Sequence, residues 1–126
     1  MRRSPARAAA RTGNEGERAT TSYLTERGYH ILERNFRCRG GEVDIIALDG
    51  ATLVFVEVKL RRSLARGAPI EAVTPVKQSR VRKAAQVYLS YSGRVFTRVR
   101  FDVVAVTKSG KNTDITHLKA AFASSA

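Results

Sequence analysis

A chain of 126 residues, of which 43% are hydrophobic and 27% charged, has the size and composition of one domain around one core, which excludes a second domain. No apolar run approaches the ~20 residues of a membrane-spanning helix, and the N-terminus lacks the apolar stretch of a secretory signal, so the sequence predicts a cytoplasmic protein without a membrane partner. Cys38 is the only cysteine and there are only two histidines. Because these exclude an internal disulfide and a Cys/His zinc cluster, a metal site would have to use oxygen ligands.

The second feature of the composition is an excess of positive charge, since 23 Lys+Arg stand against 11 Asp+Glu and give a net charge of +12. A basic protein gains affinity for nucleic acid by releasing the counterions that are condensed on the phosphates. The charge therefore favours nucleic acid as the partner. The alternatives are a basic surface kept for solubility, a ribosome-associated protein and a membrane-surface protein.

The N-terminal part combines a basic arm with a helix and a strand. Residues 1–13 are rich in Arg, Ala and Ser without hydrophobic periodicity, which predicts a disordered, solvated arm; the same composition would also suit an organellar transit peptide. A helix is predicted from Asn14, with Glu17 three residues on, until Gly28 ends it. A first strand is predicted over residues 29–37.

The next two strands form a predicted hairpin. β-Branched residues are enriched over residues 42–48 and 52–60, and Asp49-Gly50 between them is a strong signal for a two-residue turn. The small and turn-forming residues of segment 63–69 predict a mobile loop.

A second helix and a fourth strand follow. Thr74 as N-cap and Pro75 at the first helical position predict a helix that continues to Gly93. Residues 98–107 predict a strand. The tail is predicted to pack as a closing turn of helix through three apolar residues, Ile115, Leu118 and Phe122.

The order helix, three strands, helix, strand predicts a single α/β domain over residues 14–126. Because residues 53–60 are apolar on nearly both faces, helices are expected to cover both sides of the sheet.

Two acids and a lysine stand out within the hairpin. Side chains alternate along a strand, so Glu57 and Lys59 share one face. The predicted turn places Asp44 opposite Phe55, which makes Asp44 and Glu57 diagonal neighbours on that face, about 7–8 Å apart between Cα atoms. Charges in buried strands are costly unless they are paired or bind metal. Either a structural ion pair with Lys59 or a metal site would compensate them.

Phosphodiester hydrolysis would use all three residue types. Asp44 and Glu57 would hold Mg²⁺ or Mn²⁺, and Lys59 would position or deprotonate water, or stabilise the developing negative charge. Glu17 has two interpretations, because its spacing from Asn14 fits a capping box while its helical position also points it towards the sheet.

The residues also resemble a known family. Residues 14–107, with GEVD followed by EVK, then TPVKQSR and RFDVVAV, closely resemble the YraN family, which is similar to archaeal Holliday-junction resolvases and to other PD-(D/E)XK proteins. The resemblance implies a restriction-endonuclease-like αβββαβ core with a central mixed sheet flanked by helices. It implies catalytic roles for Asp44, Glu57, Lys59 and Glu17, and it adds Gln78 on the second helix. Val43 stands where the superfamily usually has Pro before the first acid.

Several basic residues are candidates for nucleic-acid binding: Arg61, Arg62, Lys77 and Arg82. Each could also belong to a solvated loop or helix face. Asp102, which interrupts an apolar strand, is interpreted as a structural ion-pair partner of an arginine such as Arg100. His30, His117 and Cys38 receive no role.

The leading hypothesis is thus a Mg²⁺- or Mn²⁺-dependent nuclease acting on DNA, with branched or junction DNA as candidate substrates. The first alternative is a non-catalytic nucleic-acid-binding protein that retains the nuclease fold, and the second is a basic interaction protein of the ribosome or nucleoid. The sequence leaves open the choice between DNA and RNA and whether the chain forms a homodimer.

Overall fold

The computed structural model describes residues 14–62 and 73–124. The arm predicted over residues 1–13 and the loop predicted over residues 63–69 lie outside the described residues. The described chain forms two helices and five strands: α1 Asn14–Glu26, β1 His30–Cys38, β2 Gly41–Asp49, β3 Thr52–Arg61, α2 Pro75–Ser92, β4 Arg98–Ser109 and β5 Asn112–Phe122.

The strands form one mixed sheet in the order β1-β2-β3-β4-β5. β1 with β2, β2 with β3, and β4 with β5 are antiparallel, whereas β3 and β4 are parallel. A parallel pair needs a crossover connection, and α2 lies within the segment that links β3 to β4. The predicted α/β class and the restriction-endonuclease-like αβββαβ order are confirmed.

The sheet is buried on both faces. On the α2 side, Phe55 and Phe101 stack with ring centroids 5.5 Å apart and pack in one cluster with Tyr88. On the α1 side, Leu24 packs in a second cluster with Val54 and its neighbours. Side chains that alternate between two apolar layers explain why β3 is apolar on both faces, as the sequence predicted.

The boundaries of α2 are those predicted from its caps. The Thr74 hydroxyl oxygen accepts a hydrogen bond from the backbone N–H of Lys77 at 3.1 Å. Gly93 ends the helix in the left-handed conformation with φ 69°, which a residue without Cβ adopts at little cost. None of the helices in the described ranges has an apolar stretch of the length that a membrane crossing requires.

The hairpin turn differs from the prediction by one position. Asp49 pairs with Thr52, so the two turn residues are Gly50 and Ala51, and the predicted Asp49-Gly50 turn is wrong. Asp49 remains in the strand, where its carboxylate accepts a hydrogen bond from Arg100 at 3.0 Å. The shift moves the pairing but keeps the same residues on each face.

The predicted closing turn of helix is also wrong, because the tail forms strand β5 along the free edge of β4. Ile115 pairs with Val106 and Leu118 pairs with Val103, but a register shift precedes Phe122. Ala120 has φ 52° at this irregularity. Ile115 and Leu118 are three residues apart and lie on opposite faces of the strand, so the spacing of three and four residues up to Phe122 imitates a helix.

Candidate active site

The two acids of the hairpin lie close together at a point where the regular alternation of side chains along β2 is interrupted. Ile45 packs in the α1-side cluster, whereas Val43 packs in the α2-side cluster. Regular alternation would keep both residues on one side. In the neighbouring strand β1, Asn35 adopts φ 53° between the partners of these two residues. Asp44 therefore lies at a local twist of the strand.

Asp44 and Glu57 form a close carboxyl pair. The register of β2 and β3, continued by one residue beyond the pair Ile45 and Val56, places them opposite each other rather than diagonally. Asp44 Oδ2 accepts a hydrogen bond from the backbone N–H of Val58 at 2.8 Å. Glu57 is 4% exposed, and its Oε1 is buried without a hydrogen-bond partner among the described residues.

Ionisation of both acids would place more negative charge here than the surroundings compensate. Burial, followed by the charge of Asp44, raises the pKa of Glu57 to about 8. Burial also raises the pKa of Asp44, although the hydrogen bond from the backbone N–H of Val58 acts to lower it. Two buried carboxylates that cannot both ionise at low cost are what a shared proton or a bound cation would stabilise.

The cation beside Glu57 comes from α2. Lys77 Nζ lies 3.3 Å from Glu57 Oε2 and 3.2 Å from Glu42 Oε2. Although burial opposes its charged form, Glu57 and Glu42 raise the pKa of Lys77. The sequence predicts Lys77 to be a candidate for nucleic-acid binding or part of a solvated helix face, and only Lys59 is predicted as a counter-ion. The spacing of charges along the chain could not predict this contact, because the contact depends on the packing of α2 on β2.

Lys59 shares the strand face of Glu57 but makes no ion pair with any residue in the described ranges. It is half-buried. The structural ion pair predicted for Lys59 is therefore not formed. Lys77 forms the ion pair with Glu57 instead.

Glu17 points from α1 to the sheet beside the acid pair. It is 9% exposed, and its Oε1 accepts a hydrogen bond from Asn35 Nδ2 at 2.9 Å. Burial and the charge of Asp44 raise its pKa. Gly16 allows this approach, since a Cβ there would lie 3.3 Å from Val58 Cγ1. Sequence reasoning missed Asn35, for which the only signal is that Asn tolerates left-handed backbone.

Each of the other predicted residues contacts or occupies a different part of the chain. Gln78 Nε2 donates to the carbonyl of Val73 at 3.0 Å, at the start of α2. Arg61 is the last residue of β3, and Arg62 lies 3.6 Å from Glu15. Arg82 Nη1 donates to the carbonyl of Ala123 at 3.2 Å, which places Arg82 beside the end of β5.

Asp102 belongs to a separate buried network. It is fully buried and accepts hydrogen bonds from Arg100 Nε at 2.9 Å, His117 Nε2 at 2.7 Å and the backbone N–H of Ala120 at 3.0 Å. Although burial opposes ionisation, the hydrogen bonds lower the pKa of Asp102. The predicted ion pair with Arg100 is confirmed. The role of His117 was missed because β5 was not predicted as a strand.

The acid pair fits a hard divalent cation. In residues 14–62 and 73–124 no group of three or more Asp, Glu, His or Cys side chains is arranged to hold a metal. Mg²⁺, however, is usually bound by one or two carboxylates, with water and substrate oxygens completing its shell. Asp44 and Glu57 supply two carboxylates, and Glu57 Oε1, which has no hydrogen-bond partner among the described residues, is available as a metal ligand.

Comparison with known proteins places most of the described chain in one family. Residues 16–106 match the model of uncharacterised protein family UPF0102. A UPF0102 protein of Geobacter metallireducens is 49% identical over 110 residues, covering 87% of this chain and 90% of that protein. One of Rhodococcus jostii is 52% identical over 111 residues, covering 87% and 94%, and one of Geobacter sulfurreducens is 54% identical over 95 residues, covering 75% and 74%. The chain therefore belongs to family UPF0102, the YraN family that its GEVD and EVK segments resemble.

Proposed function

We propose that this protein is a metal-dependent nuclease that hydrolyses phosphodiester bonds of DNA. The observation that carries the proposal is the buried pair of Asp44 and Glu57, in which one carboxylate oxygen has no partner among the described residues, with Lys59 on the same strand face. A structural ion pair needs no such surplus acid. A site for Mg²⁺ or Mn²⁺ does.

Each residue near the pair has a distinct role in this proposal. Asp44 and Glu57 would hold the cation, which when bound would neutralise charge on the phosphate and make its water more acidic. Lys59 orients the attacking water or donates to the phosphate oxygen on which negative charge develops. Glu17 and its partner Asn35 hold the twisted part of the sheet against α1. Arg61 and Arg62 leave the active-site strand and contact the flanking phosphates.

The substrate class follows from charge and from the small size of the domain. The net charge of +12 supplies sequence-independent attraction to phosphates. The described chain is a nuclease-like core of two helices and five strands without an added base-reading module. Recognition by DNA shape rather than base sequence is therefore proposed, and branched or junction DNA is the first class to test.

One observation favours the alternative of a non-catalytic nucleic-acid-binding protein that retains the fold. Lys77 already lies 3.3 Å from Glu57, and an ammonium there competes with a metal ion. If Lys77 permanently replaced the metal, the acids would be structural and the protein would bind DNA without cutting it.

The experiment compares cleavage of duplex, single-stranded, flapped and four-way-junction DNA by the purified protein with Mg²⁺ or Mn²⁺. Wild type is expected to cut at least one substrate, while Asp44→Asn and Glu57→Ala stay folded and lose both cleavage and metal binding by calorimetry. Glu26→Gln, an exposed change at the end of α1, is the matched control. Cleavage that persists in both acid variants would refute the assignment, and metal-independent DNA binding without cleavage would favour the alternative.

A further inference from the structure

A second carboxylate near the acid pair gathers three cations. Glu42 lies 3.2 Å from Lys77 Nζ, 3.7 Å from Arg37 Nε and 3.9 Å from Arg80 Nη2. Arg37 belongs to β1, where it pairs with Glu42, and the other two cations project from α2. We refer to these four residues as the Glu42 cluster.

The Glu42 cluster has excess positive charge and guanidinium donors without a hydrogen-bond partner in residues 14–62 and 73–124. Glu42 faces three cations, of which Lys77 also pairs with Glu57. Arg37 and Arg80 together therefore carry one positive charge more than Glu42 neutralises. The distances from Arg37 and Arg80 exceed those of hydrogen bonds, which means that their N–H groups are not consumed by Glu42. Their side chains are 46% and 45% exposed. A ligand can therefore reach them.

The backbone builds this arrangement by a close approach. At Gly41 a Cβ would lie 2.6 Å from the carbonyl oxygen of Arg80 and 2.7 Å from the backbone nitrogen of Ala84. Only glycine fits at such distances. The start of β2 thus lies directly against α2, and this contact places Arg80 and Lys77 beside Glu42.

The Glu42 cluster is connected to the acid pair through Lys77, which bridges Glu42 and Glu57. The N–H donors of guanidinium groups match the geometry of phosphate oxygens. An anion held by Arg37 and Arg80 would therefore lie next to the carboxylates of the acid pair.

We propose that Arg37, Lys77 and Arg80 form a binding site for a backbone phosphate of nucleic acid beside the acid pair, and that Glu42 is the positioning residue that holds them. This inference rests on the proposed function for its ligand, a phosphodiester next to the one that is cut. Glu42 itself would repel the phosphate, so its contribution is the geometry of the three cations.

The first test measures the affinity for a fluorescein-labelled DNA duplex against salt concentration, in EDTA so that the strand stays intact. Arg37→Gln and Arg80→Gln should each flatten the plot of log affinity against log salt by about 0.9, the change expected for one lost phosphate contact. Arg94→Gln, beyond the other end of α2 where Arg94 lies over the Phe96 ring, is the matched control. Slopes that stay at the wild-type value in both variants would overturn the site.

Glu42→Gln separates positioning from simple charge. Removing a negative charge from a DNA-binding surface should strengthen binding if only net charge matters. The proposal requires the opposite, namely weaker binding, together with turnover reduced by about tenfold or more, because misplaced binding groups reduce catalysis steeply. Tighter binding with unchanged turnover would refute the role of Glu42.

The outcomes also separate this inference from the proposed nuclease. If the arginine variants change the salt slope but wild type never cleaves DNA, the phosphate site stands and the nuclease proposal fails. If wild type cleaves DNA but neither arginine affects the slope, the nuclease proposal stands and the site fails. If wild type does not bind the duplex, the phosphate site is overturned, and the nuclease proposal is decided separately by the cleavage assay on the four substrates.

Discussion

Replacing Glu57 by Gln tests whether ionisation of Glu57 destabilises the folded protein when no cation is bound. Raising the pKa of Glu57 from 4.5 to about 8 means that ionising it costs the folded state on the order of 3–5 kcal/mol, at about 1.4 kcal/mol for each pH unit. The folded protein then binds more protons than the unfolded chain between these two pKa values. Stability without metal should therefore fall as pH rises through this window.

Glu57→Gln removes the ionisable group, and with it most of this pH dependence. Without metal, the variant should be more stable than wild type at about pH 9, although it also loses the ion pair with Lys77. Urea denaturation at constant salt, in EDTA and at about pH 5, 7 and 9, measures both slopes. Glu26→Gln is the exposed control and should follow wild type.

Adding Mg²⁺ or Mn²⁺ to the same experiment tests whether the acid pair binds a divalent cation. A ligand present at a hundred times its dissociation constant stabilises the folded state by about 2.7 kcal/mol, which wild type should gain and Glu57→Gln should largely lack. If Glu57→Gln keeps the wild-type pH slope, the raised pKa is not that of Glu57. If it is several kcal/mol less stable than wild type at all three pH values and neither protein responds to metal, Glu57 is a structural partner of Lys77.

Three further outcomes are expected. Lys59→Met should stay folded, bind Mg²⁺ and DNA nearly as wild type does and lose turnover by about a hundredfold in single-turnover assays; a folded and fully active variant would remove Lys59 from the mechanism. Asp102→Asn should destabilise the protein by about 3 kcal/mol in urea denaturation, at the lower end for a broken buried pair because Asp49 still pairs with Arg100, and unchanged stability would contradict the network. Gly41→Ala should cost about 1–3 kcal/mol by overpacking against α2, and a variant as stable as wild type would show that the two elements separate easily.

Local signals were enough to predict most of the fold. The ends of α2 depend on Thr74 and Gly93, whose hydrogen bonds and backbone angles involve residues within about four positions. The alternation of β3 likewise places Glu57 and Lys59 on one face whatever the neighbours are. The two acids were identified because charges within apolar strands demand compensation, which is a property of the residues themselves.

Errors occurred where a local pattern fits more than one structure. The tail was predicted to be helical because the apolar residues of β5 lie on both faces of the strand, and Ile115, Leu118 and Phe122 are therefore spaced by three and four residues. The turn was placed one residue early because Asp49-Gly50 is a strong local signal, whereas Arg100 holds Asp49 in the strand from 51 positions away. Propensity cannot anticipate such a partner.

The order of residues was sufficient to predict a basic chain, two acids and a lysine in one hairpin, and helices on both sides of a sheet. It could not predict which cation contacts which acid, because that depends on how the elements pack. Lys77 contacts Glu42 across 35 positions, and this contact depends on the close packing of α2 on Gly41. Ion pairs form between groups that are near in space, and that nearness is set by long-range packing rather than by the order of residues.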